Sequence, residues 1–171
     1  MRVRDPLENP EPLVRHVYSY VAYRIGAGPD AEDVTSEVFE RALRYRESYD
    51  PAKGTPLAWL VGIARRLVEA TASPPRGETI DGFDAPASGD LEEEAILRIG
   101  VVAAVAELDE RDRELIALRY GADLKANQIG ALLGMRTNSA EVALHRALAR
   151  LRGKLEERAS PEDAATRAKG L

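Results

Sequence analysis

Between Arg136 and Leu155 five cations stand against a single carboxylate, Glu141. Within and beside that run, Arg136, Asn138, Ser139, Val142, His145, Arg146 and Arg150 recur at spacings that a helix places largely on one side. Guanidinium groups on such a face hold phosphates, and amide and hydroxyl groups read base edges in a major groove. His145 is open to two readings, a solvated histidine on a charged helix or a DNA contact. Little else in the chain suggests chemistry. There is no cysteine, and the only histidines, His16 and His145, are far apart in sequence. Disulfides and cysteine–zinc sites are excluded. No nucleophile–base constellation, metal cluster or phosphate loop is present, so the expectation is a protein that is not an enzyme, with no metal and no cofactor.

The positive charge is local. The whole chain of 171 residues carries a formal net charge of −5. Between Thr71 and Glu94, however, seven carboxylates face one arginine, Arg76. A phosphate backbone responds to the local field, so a basic face on an acidic protein is consistent with DNA contact. The same acidity argues against strong non-specific binding by the chain alone. Apolar residues make up 44% of the sequence and aromatics only 5%, with Ala, Leu and Val dominant. That balance predicts an all-α fold of helices packed on helices. The first residues carry charges with no apolar run behind them, and no stretch reaches the ~18 apolar residues of a membrane span. The expected location is cytoplasmic.

The elements follow from periodicity and breakers. Leu13, Val17, Tyr20, Val21 and Ile25 mark a first helix, stopped by Gly26, Gly28 and Pro29. Asp30 is placed to cap a second, whose apolar stripe is Val34, Val38, Ala42 and Leu43. Residues 49–56 hold two prolines and a glycine and read as a loop. A third helix carries Leu57, Leu60, Val61, Ala64, Leu67 and Val68. Residues 73–94, rich in Pro, Gly and acid, read as an acidic flexible linker. The expected organisation is therefore two small helical domains, residues 10–72 and 95–157, with a tail at 158–171. In the second domain Asp109 caps a helix that ends at Gly121.

Residues 125–155 read as a helix-turn-helix. A short helix ends at Gly134, the residue that tolerates a left-handed turn. Gly130 or Ala131 supplies the small residue where two helices cross, and Met135 plugs the corner. A long helix starts near Asn138 and buries Ala140, Leu144, Ala147, Leu148, Leu151 and Leu155, with Ala143 among the residues facing away. Glu141 has two readings. It accepts from cytosine N4, or it completes a capping box with Asn138.

Three motifs in order resemble the compact extracytoplasmic-function (ECF) class of bacterial sigma factors. They are DAEDVTSEVFERA at 30–42, PLAWLVGIARR at 56–66, and LDERDREL at 108–115 continuing through LRY at 118–120, the helix-turn-helix and LHRALARLR at 144–152. The resemblance covers about residues 10–157. It implies core RNA polymerase and promoter DNA as partners, with an anti-sigma protein as a further one. It implies that Asp33, Glu37, Glu40 and Arg41 bind the polymerase. It implies that Tyr49, Asp50, Lys53, Trp59, Arg65 and Arg66 serve the −10 element, with Trp59 equally readable as core. The helix-turn-helix then serves the −35 element. Arg66 stands where the family usually has Asn, Ser36 where Gln is common, and Glu141 and Ala143 where bases are frequent. Two other classes compete. One is a stand-alone helix-turn-helix regulator reading a palindrome as a dimer. The other is a sigma-like interaction protein with altered DNA reading.

Overall fold

A computed structural model describes residues 5–71 and 100–159. The linker expected at 73–94, the start of the second domain at 95 and most of the tail lie outside the described residues. Among the described residues every regular element is helical. The first domain holds α1 (Pro10–Ile25), α2 (Pro29–Arg44) and α3 (Pro56–Thr71), with a short 3₁₀ turn at Arg46–Ser48. The second holds α4 (residues 100–106), α5 (Glu110–Ile116), a π-turn at Ala117–Gly121, α6 (Ala126–Leu133) and α7 (Thr137–Ala159).

The breakers act where the chain reverses. Gly26 and Gly28 adopt positive φ, 93° and 125°, which side chains disfavour, and Pro29 then opens α2 with its ring-fixed φ. Because Pro29 already starts the helix, Asp30 lies inside the first turn and is not its cap. The N-cap position is Gly28. Asp30 and Glu32 still favour that end through the helix dipole. Thr55 caps α3. Its Oγ1 accepts from the Ala58 N–H at 3.2 Å and its carbonyl from the Trp59 N–H at 3.1 Å. Asp109 caps α5, accepting the Asp112 N–H at 2.8 Å.

The helix-turn-helix is built around two glycines. Gly134 takes the left-handed conformation at φ 67°. The Met135 N–H donates to the Gly130 carbonyl at 2.8 Å, so the end of α6 closes as a Schellman turn. Gly130 is buried, and a Cβ there would stand 2.7 Å from the Met135 carbonyl oxygen. Gly130, not the exposed Ala131, is therefore the small residue at the crossing. Three residues separate α6 from α7. That helix starts at Thr137, with the Arg136 carbonyl accepting from the Ala140 N–H at 3.0 Å. Asn138 is thus inside the helix, and the capping box expected of Asn138 and Glu141 falls away. Ala140 and Ala147 are buried, and Leu144, Leu148 and Leu151 pack beside them. Ala143, expected on the outer face, is half-buried against the same core.

One ion pair fixes α7 on α5. The Asp112 carboxylate is buried at 3% exposure in the first turn of α5. Arg150 Nη1 donates to both of its oxygens, at 2.8 and 2.7 Å. A buried carboxylate needs such a partner, because its desolvation is costly when unpaired. Arg150→Ala is expected to destabilise the chain by about 1–2 kcal/mol, the lower range because the guanidinium is itself half-exposed. Arg146→Ala, at an exposed position on the same helix, should stay within about 0.5 kcal/mol. Urea unfolding followed by circular dichroism measures both, and equal losses would show that the Asp112 pair does not hold α7.

Candidate nucleic-acid interface

The second helix of the helix-turn-helix presents the side chains that the sequence singles out. Arg136, Asn138, Ser139, Val142, His145 and Arg146 are all exposed. The spacings 138, 142, 145 and 139, 142, 146 repeat at three or four residues, so the groups share one face of α7. Among the described residues neither Arg136 nor Arg146 forms an ion pair. Glu141 is exposed on the same helix. Arg150 is set apart from this group by its bond to Asp112.

A second group gathers at the loop before α3. Tyr49 donates its hydroxyl proton to the Gly54 carbonyl at 3.0 Å and closes the loop on itself. Asp50 Oδ1 accepts from the Ala52 N–H at 3.0 Å, and its carbonyl takes the Lys53 N–H at 3.0 Å. These bonds hold a tight turn under the Tyr49 ring. That ring lies 5.5 Å from Trp59, tilted by 54°. Trp59 is half-buried, packed against the core on one side and lining the loop cleft on the other. Tyr49, Asp50, Lys53, Trp59 and Arg66 line a common cleft of 780 Å³. The opposite wall comes from α6, through Asn127, Gln128, Ala131 and Leu132. Aromatic faces beside cations can hold an unstacked base and its phosphate.

Arg65 does not join that cleft. Its Nε donates to Glu114 Oε1 on α5 at 2.6 Å, and its Nη2 lies 3.2 Å from Glu69. The same Glu114 oxygen is 3.2 Å from Nη1 of Arg24. Arg24 is buried, with a side chain 4% exposed, and also reaches the Tyr20 hydroxyl at 3.1 Å and Glu110 at 3.3 Å. Burial would depress the Arg65 guanidinium, but the Glu114 hydrogen bond and charge outweigh it and raise its pKa. Burial pushes the Tyr20 hydroxyl far above its usual range. One carboxylate oxygen thus bridges two guanidinium groups, from α1 and from α3, across the boundary between the domains. The sequence reading missed this cluster. The signal was there: Arg24 follows Val17, Tyr20 and Val21 on the apolar stripe of α1, a charge where periodicity demands burial.

The acidic face of α2 forms a third group. Asp33, Glu37, Glu40 and Arg41 are exposed and, with Ser36 and Arg44, line one shallow hollow. Arg41 pairs with Glu37 at 2.6 Å and Arg44 with Glu40 at 3.0 Å. Such i, i+4 pairs are worth only a few tenths of a kcal/mol each, roughly 0.3–0.5, so they yield readily to a partner.

Comparison with known proteins identifies both helical domains. Residues 11–69 match the family described as sigma-70 region 2, and residues 99–151 match sigma-70 region 4. The chain is 31% identical over 156 residues to the ECF RNA polymerase sigma factor BldN of Streptomyces coelicolor, covering 86% of this chain and 57% of that protein. It therefore spans little more than half the length of BldN. It is 31% identical to ShbA of Streptomyces griseus, covering 74% of this chain and 72% of that protein. It is 30% identical to SigD of Mycobacterium tuberculosis, with coverages of 90% and 76%; both are ECF RNA polymerase sigma factors. The fold is similar to that of CnrH, solved in complex with the cytosolic domain of CnrY. The TM-score is 0.61 at 22% identity, covering 86% of this chain and 82% of that one. No helix among the described residues is long and apolar enough to cross a membrane. A non-enzymatic helical chain with a region 2 domain, a region 4 helix-turn-helix and these relatives belongs to the ECF RNA polymerase sigma factors of the sigma-70 family.

Proposed function

We propose that the chain brings core RNA polymerase to promoters through three separate surfaces. The exposed face of α2, with Asp33, Glu37, Glu40 and Arg41, meets the polymerase. The cleft under Tyr49 and Trp59, with Asp50, Lys53 and Arg66, takes the −10 element as its bases unstack, and Arg65 meets the adjoining backbone. Arg136 in the turn, with Asn138, Ser139, Val142, His145 and Arg146 on the outer face of α7, reads the −35 element. The observation that carries this reading is the cleft, in which an aromatic pair, two cations and a tight loop converge beside α3.

The domain boundaries at 10–72 and 95–157 belong to the same proposal, as does work alongside the polymerase in the cytoplasm. So does a restraining protein of the anti-sigma type. What supports such a partner is that CnrH, similar in fold, was solved with the cytosolic domain of another protein. Arg150 enters the −35 surface through its aliphatic stem and its hold on α7.

Reconstitution of the chain with core polymerase tests the proposal. Specific start sites on a genomic promoter library are expected with core, and weak DNA binding without it. Tight binding of the isolated chain to a palindrome at physiological salt would instead favour a stand-alone regulator. Among variants, Arg146→Ala should weaken promoter binding about equally across −35 sequences. It should reduce the slope of log K against log salt by about 1, as loss of one phosphate contact does. Asn138→Ala should instead relax the preference at one base pair, costing about 1–3 kcal/mol at the preferred base. Fluorescence anisotropy of holoenzyme on promoter duplexes across a salt series separates the two outcomes. A salt slope left unchanged by Arg146→Ala would remove that residue from the interface.

A further inference from the structure

The cleft between the Tyr49 loop and α6, at 780 Å³, falls within the range of small-molecule sites, about 300–1,000 Å³. Its floor is one face of α3. Trp59, Gly62, Ile63 and Arg66 follow one another at three- and four-residue spacing, and all of them line it. Neither backbone conformation nor packing demands the glycine at residue 62. It is not among the positive-φ positions, and a Cβ there would stand 3.7 Å from Leu132 Cδ2, an ordinary contact. Glycine inside a helix is destabilising relative to alanine. What its missing side chain provides is open floor between Trp59 and Arg66, which lie seven residues and about 10 Å apart along the helix.

The groups around this floor divide by chemistry. The Tyr49 and Trp59 rings lie against each other, and the Tyr49 hydroxyl is spent on the Gly54 carbonyl, so Tyr49 offers the cleft a ring face. Lys53 and Arg66 are exposed cations with no ion pair among the described residues. Across the cleft, Gln128 Oε1 already accepts the Lys125 N–H at 2.9 Å, which leaves its Nε2 to donate. Asn127 adds an exposed amide beside it. Donors therefore dominate, and the matching ligand is a flat ring that carries acceptor atoms and negative charge.

We propose that this cleft binds a free purine nucleotide, with its base on the Trp59–Tyr49 pair, its phosphates on Arg66 and Lys53, and the amides of Gln128 and Asn127 at the base edge. Stacking on an aromatic face accepts any base, and a purine presents the larger surface together with the N7 acceptor, joined by O6 in guanine. The Arg66 fork can bond two phosphate oxygens at once, while Lys53 acts as a point charge. A nucleotide seated there covers the faces that the −10 strand would take. That consequence rests on the −10 reading of the cleft, whereas the binding itself does not.

Trp59 is the only tryptophan in the chain, so its emission reports on the cleft alone. Titration of the full chain with guanosine diphosphate is expected to quench it, with a Kd on the order of 100 μM for so open a site. Guanosine and inorganic phosphate each carry half of the chemistry and should bind about tenfold more weakly or worse. Arg66→Ala removes the phosphate fork and should weaken the diphosphate about tenfold. Gly62→Ala sets a methyl group on the floor and should weaken it as well. Circular dichroism should show helix content held or raised in that variant, so its loss of affinity is not a loss of fold. Arg152→Ala, at an exposed cation of α7 outside the cleft, should leave the affinity unchanged. Equal losses in Arg152→Ala and Arg66→Ala would reduce the effect to diffuse attraction and overturn the site. So would the absence of saturable quenching at ten times the expected Kd, or saturation by a single-stranded oligonucleotide but not by the diphosphate. No polymerase or promoter enters the titration, so its failure and the failure of promoter-specific transcription are separate results.

Discussion

The arrangement of the whole molecule follows from one buried guanidinium. Arg24 sits on the apolar stripe of α1, seven residues after Val17, and only 5% of it reaches solvent. A charge at such a position requires carboxylates, because dehydration without a partner costs more than the surrounding packing returns. Among the described residues, the first domain offers it the Tyr20 hydroxyl. The carboxylates come from α5, through Glu110 and Glu114. That requirement brings α5 against α1, and with it the π-turn whose Gly121 touches the Tyr20 backbone. Apolar burial provides most of the attraction but has little direction. The ion cluster supplies the register, since shifting α5 by one turn would separate Glu114 from both Arg24 and Arg65.

The same device recurs within the second domain on a smaller scale. Arg150 reaches across from α7 to the buried Asp112 of α5. Arg113 donates to the carbonyls of Ala106 and Leu108, at 3.0 and 2.7 Å, and so satisfies the end of α4. Arginine suits each role because its planar fork can bond several acceptors at once without losing its charge. The cations thus divide into two sets. Arg24, Arg65, Arg113 and Arg150 bond to acceptors elsewhere in the chain, while Arg66, Arg136 and Arg146 stand exposed with no ion pair among the described residues. The net charge of −5 describes the sum and hides the division. The positive field at α7 comes from exposed cations such as Arg136 and Arg146.

Much of this was legible in the residues themselves. Three apolar periodicities in the first domain and the long one in α7 marked those helices, Gly134 marked the left-handed turn, and Asp109 marked a cap. Two caps moved for identifiable reasons. Pro29 fixes φ and begins α2 a residue before Asp30, and α7 starts at Thr137, ahead of Asn138. The domain contact was not legible, because periodicity tells which face of a helix is buried but not which surface covers it. Thus the Val17–Arg24 stripe announced burial, yet nothing local to α1 pointed to Glu114, ninety residues away. The pairing of Arg65 with Glu114 was hidden for the same reason. Its motif gave it a phosphate, and the fold gave it a carboxylate.

That substitution of one oxygen anion for another links the acidic character of the chain to its DNA chemistry. An arginine that is free in the resting protein attracts any polyanion, and most nucleic acid in a cell is the wrong sequence. An arginine already paired with Glu114 gains from DNA only the difference between two similar bonds. The Arg65 pair thus removes one cation from the field around the chain, while Arg66, Arg136 and Arg146 stay exposed. The acidic face of α2 also stays exposed, its cations paired within the helix. A chain of net charge −5 therefore shows its positive field where cations such as Arg136 and Arg146 stand exposed without an internal carboxylate among the described residues.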